Sequence, residues 1–219
     1  MNAKDSYDIT PLHLACQAGN LEGVKSLLEE CDADVMMQDS NGDTPLHEAC
    51  LHGEEKIFNL LLSKMTEKSV GLGLGSQGER KIHLVIKNRL GLTPFHFACR
   101  GGHLEIAEKL YDHSDNPEAL VREKDKEGAT ALHLACQNDQ PSVVEFLLSK
   151  GANVSEQKND GMTPVHVISK HGCVKVMNSL LKHDETRFNV NVRDKYDQTP
   201  LHFAAECGQV KMIELLLNK

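Results

Sequence analysis

The chain is predicted to be an all-α solenoid of stacked helix-turn-helix units with hairpin-like loops between them. Three observations carry that expectation. A tetrapeptide of the Thr-Pro-Leu-His type occurs six times, starting at Thr10, Thr44, Thr93, Thr130, Thr163 and Thr199. Each copy is followed at constant offsets by the same small, glycine and apolar positions, and each is preceded by the same turn chemistry. Successive threonines lie 34, 49, 37, 33 and 36 residues apart, and a period in this range is the sequence mark of a repeat architecture.

Each part of the unit has a physical reason. The threonine hydroxyl suits the free N–H groups of a starting helix, and proline follows at the first helical position, where its missing donor costs nothing. Small residues come next, as in LHLAC and LHEAC, so that neighbouring helices approach closely. Nine residues after Thr stands Gly19, Gly53, Gly102, Gly172 or Gly208, with Asp139 as the exception, a position suited to a left-handed helix end. Triplets such as Phe58/Leu61/Leu62 and Val144/Leu147/Leu148 then give a second helix its apolar face. Five before Thr stands Asp5, Asp39, Asn88, Asp125 or Asp194, with Lys158 departing, and two before Thr stands glycine or, at Asp8 and Asp197, aspartate. Such pairs are turn chemistry.

The six TPLH-type copies resemble the ankyrin repeat, whose hallmark includes T-P-L-H-x-A. Repeats are expected at about 5–38, 39–65, 88–120, 125–157, 158–190 and 194–219, with a glycine-rich loop inserted at 66–87. The last copy keeps its full apolar pattern, where terminal repeats of such arrays normally turn polar. Further ankyrin repeats in a longer parent chain are therefore expected.

Composition narrows the function. The chain has 219 residues and a formal net charge of −8, which disfavours nucleic-acid partners because phosphate binding needs clustered Lys and Arg. No apolar run approaches a membrane span, so direct membrane insertion of this segment is not expected. Seven cysteines without a CxxC pair read as reduced, intracellular thiols, and the expected location is the cytoplasm. No nucleophile elbow, HExxH pair or paired-carboxylate motif is present, so no enzyme, cofactor or metal site is expected. The six histidines three after each Thr lie on separate stacked helices and cannot converge on one metal. Each is expected to bond its own Thr or the backbone of an adjacent repeat. Cys16, Cys50, Cys99 and Cys136 share one small buried slot, which Ser169 and Ala205 also fill, whereas Cys31, Cys173 and Cys207 are expected to be more accessible.

The resemblance implies a protein-protein interaction module: a cytosolic scaffold or adaptor that binds other proteins or peptides on its concave surface. Its contact residues would be the hairpin tips three before Thr, notably Tyr7, Leu90 and Tyr196, and the inner-helix positions Gln17, Leu51, Arg100, Gln137, Lys170 and Glu206 seven after Thr. Asn191 matches the loop asparagine that is hydroxylated in some ankyrin repeats. An alternative is the cytoplasmic ankyrin-repeat portion of a transient receptor potential A-type channel. A third reading, a nucleotide-using enzyme, rests on Gly73, Gly75 and Gly78, which spell GxGxxG. A dinucleotide site needs a strand before those glycines and a helix after them, whereas EEKIFNLLLSK before them reads as a helix and KIHLVIKN after them as strand-like. The stretch is expected to be the mobile middle of the insertion, with Ile82, Leu84 and Val85 folding back onto the stack.

Overall fold

The computed structural model describes residues 2–71, 84–183 and 189–218, without the side chains of 68–71 and 183. Among the described residues the chain forms thirteen α-helices and no strand beyond an isolated bridge between Lys124 and Thr130. Six helix pairs follow the six threonines: α1 (Pro11–Gln17) with α2 (Leu21–Glu29), α3 (Pro45–His52) with α4 (Glu55–Gly71), and α5 (Pro94–Gly101) with α6 (Leu104–Asp112). After a short α7 (Pro117–Arg122) come α8 (Ala131–Gln137) with α9 (Pro141–Ser149), α10 (Pro164–His171) with α11 (Val174–His183), and α12 (Pro200–Glu206) with α13 (Val210–Leu217). The chain divides into two compact units, Met1–Leu120 and Val121–Lys219.

Within the first unit α1 packs on α3 and α3 on α5, while α2 packs on α4 and α4 on α6. The second unit repeats the scheme, with α8 on α10, α10 on α12, and α9 on α11. The apolar face expected of the second helices forms the core: Val24, Phe58, Leu61, Ala107, Leu110, Val144, Leu147, Met177 and Leu180 are all buried. A large side chain in such a position stabilises by roughly 1.5–3 kcal/mol.

The first helices begin as the sequence predicts. Each threonine is extended at the N-cap of its helix, with proline next in every copy but Thr130, and the hydroxyls of Thr10 and Thr93 accept the N–H groups of His13 and His96. The capping partner is the histidine at the third helical position. In all six copies the threonine N–H donates to the histidine Nδ1 at 3.1–3.3 Å. Because a backbone N–H only donates, Nδ1 must accept, which leaves the ring proton of the neutral imidazole on Nε2. That proton reaches the next repeat: Nε2 of His13, His47, His133 and His166 donates to the carbonyls of Asp43, Leu92, Met162 and Gln198. Each ring thus caps its own helix and joins it to its neighbour. Phe97 and Phe203 set their rings edge-on against His47 and His166.

The hairpins are equally regular. The carboxylate or amide oxygen five before Thr accepts the N–H groups two and four residues later at Asp5, Asp39, Asn88, Asp125 and Asp194. Lys158 cannot accept, and there Asp160 takes the N–H of Met162 instead. Successive tips are stitched by backbone bonds, Ser40 N to Tyr7 O and Arg89 N to Asn41 O in the first unit, Asn159 N to Glu127 O and Lys195 N to Asp160 O in the second. This contact explains glycine two before Thr: φ is +80° at Gly42, and a Cβ there would lie 2.8 Å from the Arg89 nitrogen.

Four features differ from the sequence expectations or escape them. Asp139, in place of the helix-end glycine, still adopts a left-handed φ of 52°, tolerable for aspartate, and its Oδ1 accepts the N–H of Val176 at the start of α11. Helix α4 continues to Gly71, so the expected insertion at 66–87 opens as helix, and 84–88 form no strand. Leu84 is buried and Val85 exposed; Ile82 and the glycines of GxGxxG lie outside the described residues. Helix α7 was not anticipated, although Asn116-Pro117-Glu118 is a helix-start signature, with Asn116 Oδ1 accepting the N–H of Ala119.

Candidate interaction surface

Inner helices and hairpin tips place the expected contact residues. In the first unit, Gln17 and Arg100 are exposed on α1 and α5. Leu51 on α3 is only half-exposed, and its carbonyl accepts from His103 Nε2 at 2.9 Å. Tyr7 and Leu90 project from the first and third tips, 65% and 62% exposed, beside the exposed Asn41 of the second. Because the tips are joined backbone to backbone, these side chains form one row on a rigid support. In the second unit Gln137, Lys170 and Glu206 are exposed on α8, α10 and α12, and Tyr196 is 75% exposed at its tip. Lys158 bridges two tips there through Glu127 and Asp160. Asn191 is exposed in the loop before the last hairpin, where its N–H donates to Asn189 Oδ1.

The titratable groups below this surface belong to the packing. Burial pushes the rings of His47 and His133 down to about 4 and lowers those of His13 and His166, so at neutral pH they are the uncharged donors that the hydrogen bonds require. Burial also raises the thiols of Cys16, Cys50, Cys99 and Cys136, which makes them inert rather than nucleophilic. Cys173, expected to be accessible, is 4% exposed; it donates to the Gln137 carbonyl, and burial raises its thiol to about 11. It precedes Val174 at the start of α11, where the unit packs tightly, a placement its neighbours Lys170 and Lys175 do not reveal. Cys31 and Cys207 are the more open pair.

Sequence reasoning passed over a carboxylate group on α3 and its hairpin. Asp39, Asp43 and Glu48 bring their oxygens within 4.8 Å of one another. Asp39 is spent on its own turn and Asp43 accepts from Asn88 Nδ2 at 2.8 Å. Burial, reinforced by the charges of Asp43 and Asp39, raises the Glu48 carboxyl to about 7. The signal was present in the sequence: Glu48 stands where the other copies carry Leu14, Phe97, Leu134, Val167 and Phe203.

The comparisons agree with this architecture. A family model for ankyrin repeats, three copies, matches residues 1–71, 77–158 and 153–219. The chain is 31% identical over 209 residues to the probable 26S proteasome regulatory subunit p28 of Saccharomyces cerevisiae, covering 95% of this chain and 84% of that protein. It is 28% identical over 219 residues to the human transient receptor potential cation channel subfamily A member 1, covering all of this chain but 18% of the channel. Human Rabankyrin-5 is 34% identical over 174 residues, 78% of this chain and 13% of that protein. The chain therefore spans less than a fifth of the latter two relatives. Ankyrin repeats are protein-protein interaction modules, and among the described residues no helix is long and apolar enough to cross a membrane. With the histidine-capped helix pairs, the zipped hairpins and a family match along most of its length, the chain belongs to the ankyrin-repeat family.

Proposed function

We propose that the chain acts as a cytoplasmic scaffold or adaptor that holds other proteins or peptides against its hairpin tips and inner helices. The observation that carries this reading is the exposure of Tyr7, Leu90 and Tyr196 at equivalent tips, since large side chains held on a hydrogen-bonded backbone lose little entropy on binding, and tyrosine and arginine dominate interface energetics. Arg100 and Lys170 add charge on the inner helices. The test is quantitative affinity capture from cell extract with the unaltered chain and with a Tyr7→Ala, Arg100→Glu variant. Selective loss of a reproducible set of bound proteins supports the reading, and an unchanged set rejects it.

A second reading is the cytoplasmic repeat portion of a transient receptor potential A-type channel, favoured by an alignment to such a channel that covers this chain from end to end. Six apolar spans downstream in the parent transcript would support it, and a different appended domain would dismiss it. Asn191 is a candidate for hydroxylation on either reading; intact-mass and peptide mass spectrometry of the natural protein checks for the added oxygen.

A further inference from the structure

The hairpin edge of the Met1–Leu120 unit holds a concavity of about 260 Å³ whose lining includes Lys4, Gln38, Lys87 and Arg89, together with the carboxylates of Asp8 and Asp39. The residues come from three successive repeats at matching positions: Lys4, Gln38 and Lys87 each stand six before Thr, and Arg89 stands four before. No acidic residue occupies either position in any of the six copies, although the chain as a whole carries a net charge of −8. In the Val121–Lys219 unit the same positions hold Lys124, Lys126, Arg193 and Lys195.

Three basic side chains, Lys4, Lys87 and Arg89, face two carboxylates on this edge, and both carboxylates are engaged within the fold. Asp39 is buried and accepts the N–H groups of Asn41 and Asp43. Asp8 pairs with Lys4 at 3.3 Å, and the Lys4 ammonium also donates to the Gln38 carbonyl at 3.0 Å, so the net charge at the groove is one positive unit, carried on the Lys87 and Arg89 side. Arg89 is exposed, its N–H anchored to the Asn41 carbonyl so that the side chain leaves from a fixed point. Exposure alternates along this segment: Val85, Lys87 and Arg89 face solvent while Leu84 and Asn88 are buried. Eight before Thr, on the second and third hairpins, stand Met36 and Val85, two exposed apolar residues.

We propose that this groove binds an acidic peptide, one carboxylate of an extended partner segment entering between Lys4, Lys87 and Arg89 while neighbouring apolar side chains rest on Met36 and Val85. Charge complementarity selects the occupant, and its narrowness follows from the same charges. A nucleic-acid duplex or an anionic bilayer extends well beyond a Debye length of about 8 Å and meets the acidic excess of the rest of the chain; a single peptide side chain does not. This edge adjoins the tips, since Arg89 directly precedes Leu90, but its basic side chains are not among the tip and inner-helix contacts of the preceding reading.

The test is fluorescence anisotropy of the full chain with a labelled ten-residue peptide containing six Glu and two Leu, its Glu→Gln counterpart, a single-stranded oligonucleotide, and vesicles containing phosphatidylserine. Binding of the Glu peptide is expected to weaken tenfold or more in Arg89→Glu and several-fold in Arg89→Gln, and to stay within twofold in Lys56→Glu, an equal charge change at an exposed position of α4. The Gln peptide is expected to bind at least tenfold more weakly. Circular dichroism of both Arg89 variants establishes that they are folded. The proposal is overturned if Arg89→Glu and Lys56→Glu weaken binding equally, if the Gln peptide binds as well, or if the oligonucleotide or vesicles bind more tightly with the same dependence on Arg89.

Discussion

Replacing Glu48 by glutamine should stabilise the protein at pH 8 and do much less at pH 5. The carboxyl is raised to about 7 by burial and by Asp43 and Asp39, whereas the unfolded chain titrates near its ordinary value of about 4.3. Between those values the folded state binds more protons, so stability rises as pH falls through 7 and the folded protein carries a penalty above it. At about 1.4 kcal/mol per unit the full shift from about 4.3 to about 7 corresponds to about 4 kcal/mol. The side chain retains 18% exposure and has His52 at 3.5 Å, so solvent screening reduces the expected gain to about 1–2 kcal/mol. Urea denaturation of both proteins at pH 8 and pH 5, followed by circular dichroism, measures it as a midpoint shift. Equal stabilisation at the two pH values, or a loss at pH 8, would refute the argument that an ionised Glu48 strains this packing.

Acid should act in the opposite sense through His133, whose folded value of about 4 lies below its unfolded one: its contribution is complete above about 6.5 and lost as pH falls toward 4, about 2 kcal/mol between pH 7 and 4.5. His133→Gln should be less stable at pH 7 yet lose less on acidification in urea titrations. Ser169 Oγ is buried with no hydrogen-bond partner among the described residues, so Ser169→Ala should raise stability by about 1 kcal/mol, read as a higher urea midpoint. Timed alkylation with iodoacetamide and mass spectrometry should modify Cys207 first and leave Cys16, Cys50, Cys99, Cys136 and Cys173 protected until the chain unfolds; early labelling of Cys173 would contradict its burial.

Much of the helical framework was legible because its causes are local. A threonine, a proline and an apolar spacing act within one turn or two, and the same letters recur six times. The histidine's double role was half legible: the bond to its own Thr is a three-residue matter, but the carbonyl that takes Nε2 lies about 30 residues away and emerges only when repeats stack. Cys173 was misjudged for a similar reason, since its basic sequence neighbours say nothing of the Gln137 carbonyl packed against it. At the surface, the tips could be named from offsets, yet the exposure of Tyr7 against the half-burial of Leu51 depends on neighbouring repeats. The groove at Lys4 and Arg89 needs three repeats at once, and no single copy contains it.

Departures from the repeat pattern are where its physics is most visible. Lys158 gives up the turn acceptor, and Asp160 supplies one bond in its place while Lys158 gains ionic contacts to Glu127 and Asp160. Asp139 gives up glycine's freedom, and its carboxylate recovers a bond at the start of α11. Ser169 and Glu48 have no comparable recovery: one hydroxyl stays unpartnered and one carboxyl is held far above its ordinary range. The first two substitutions recover part of what they give up by moving a donor or acceptor, so they should cost little; the last two spend stability. Glu48 lies beside Asp39 and Asp43, next to the tip that carries Asn41, and Ser169 lies next to Lys170 on the inner helix, so both costs fall close to the surface proposed to bind partners. A stability deficit concentrated there, and relieved by Glu48→Gln and Ser169→Ala together without loss of the captured proteins, would mark the two residues as tolerated drift. Loss of capture in the folded double variant would show instead that the deficit serves binding.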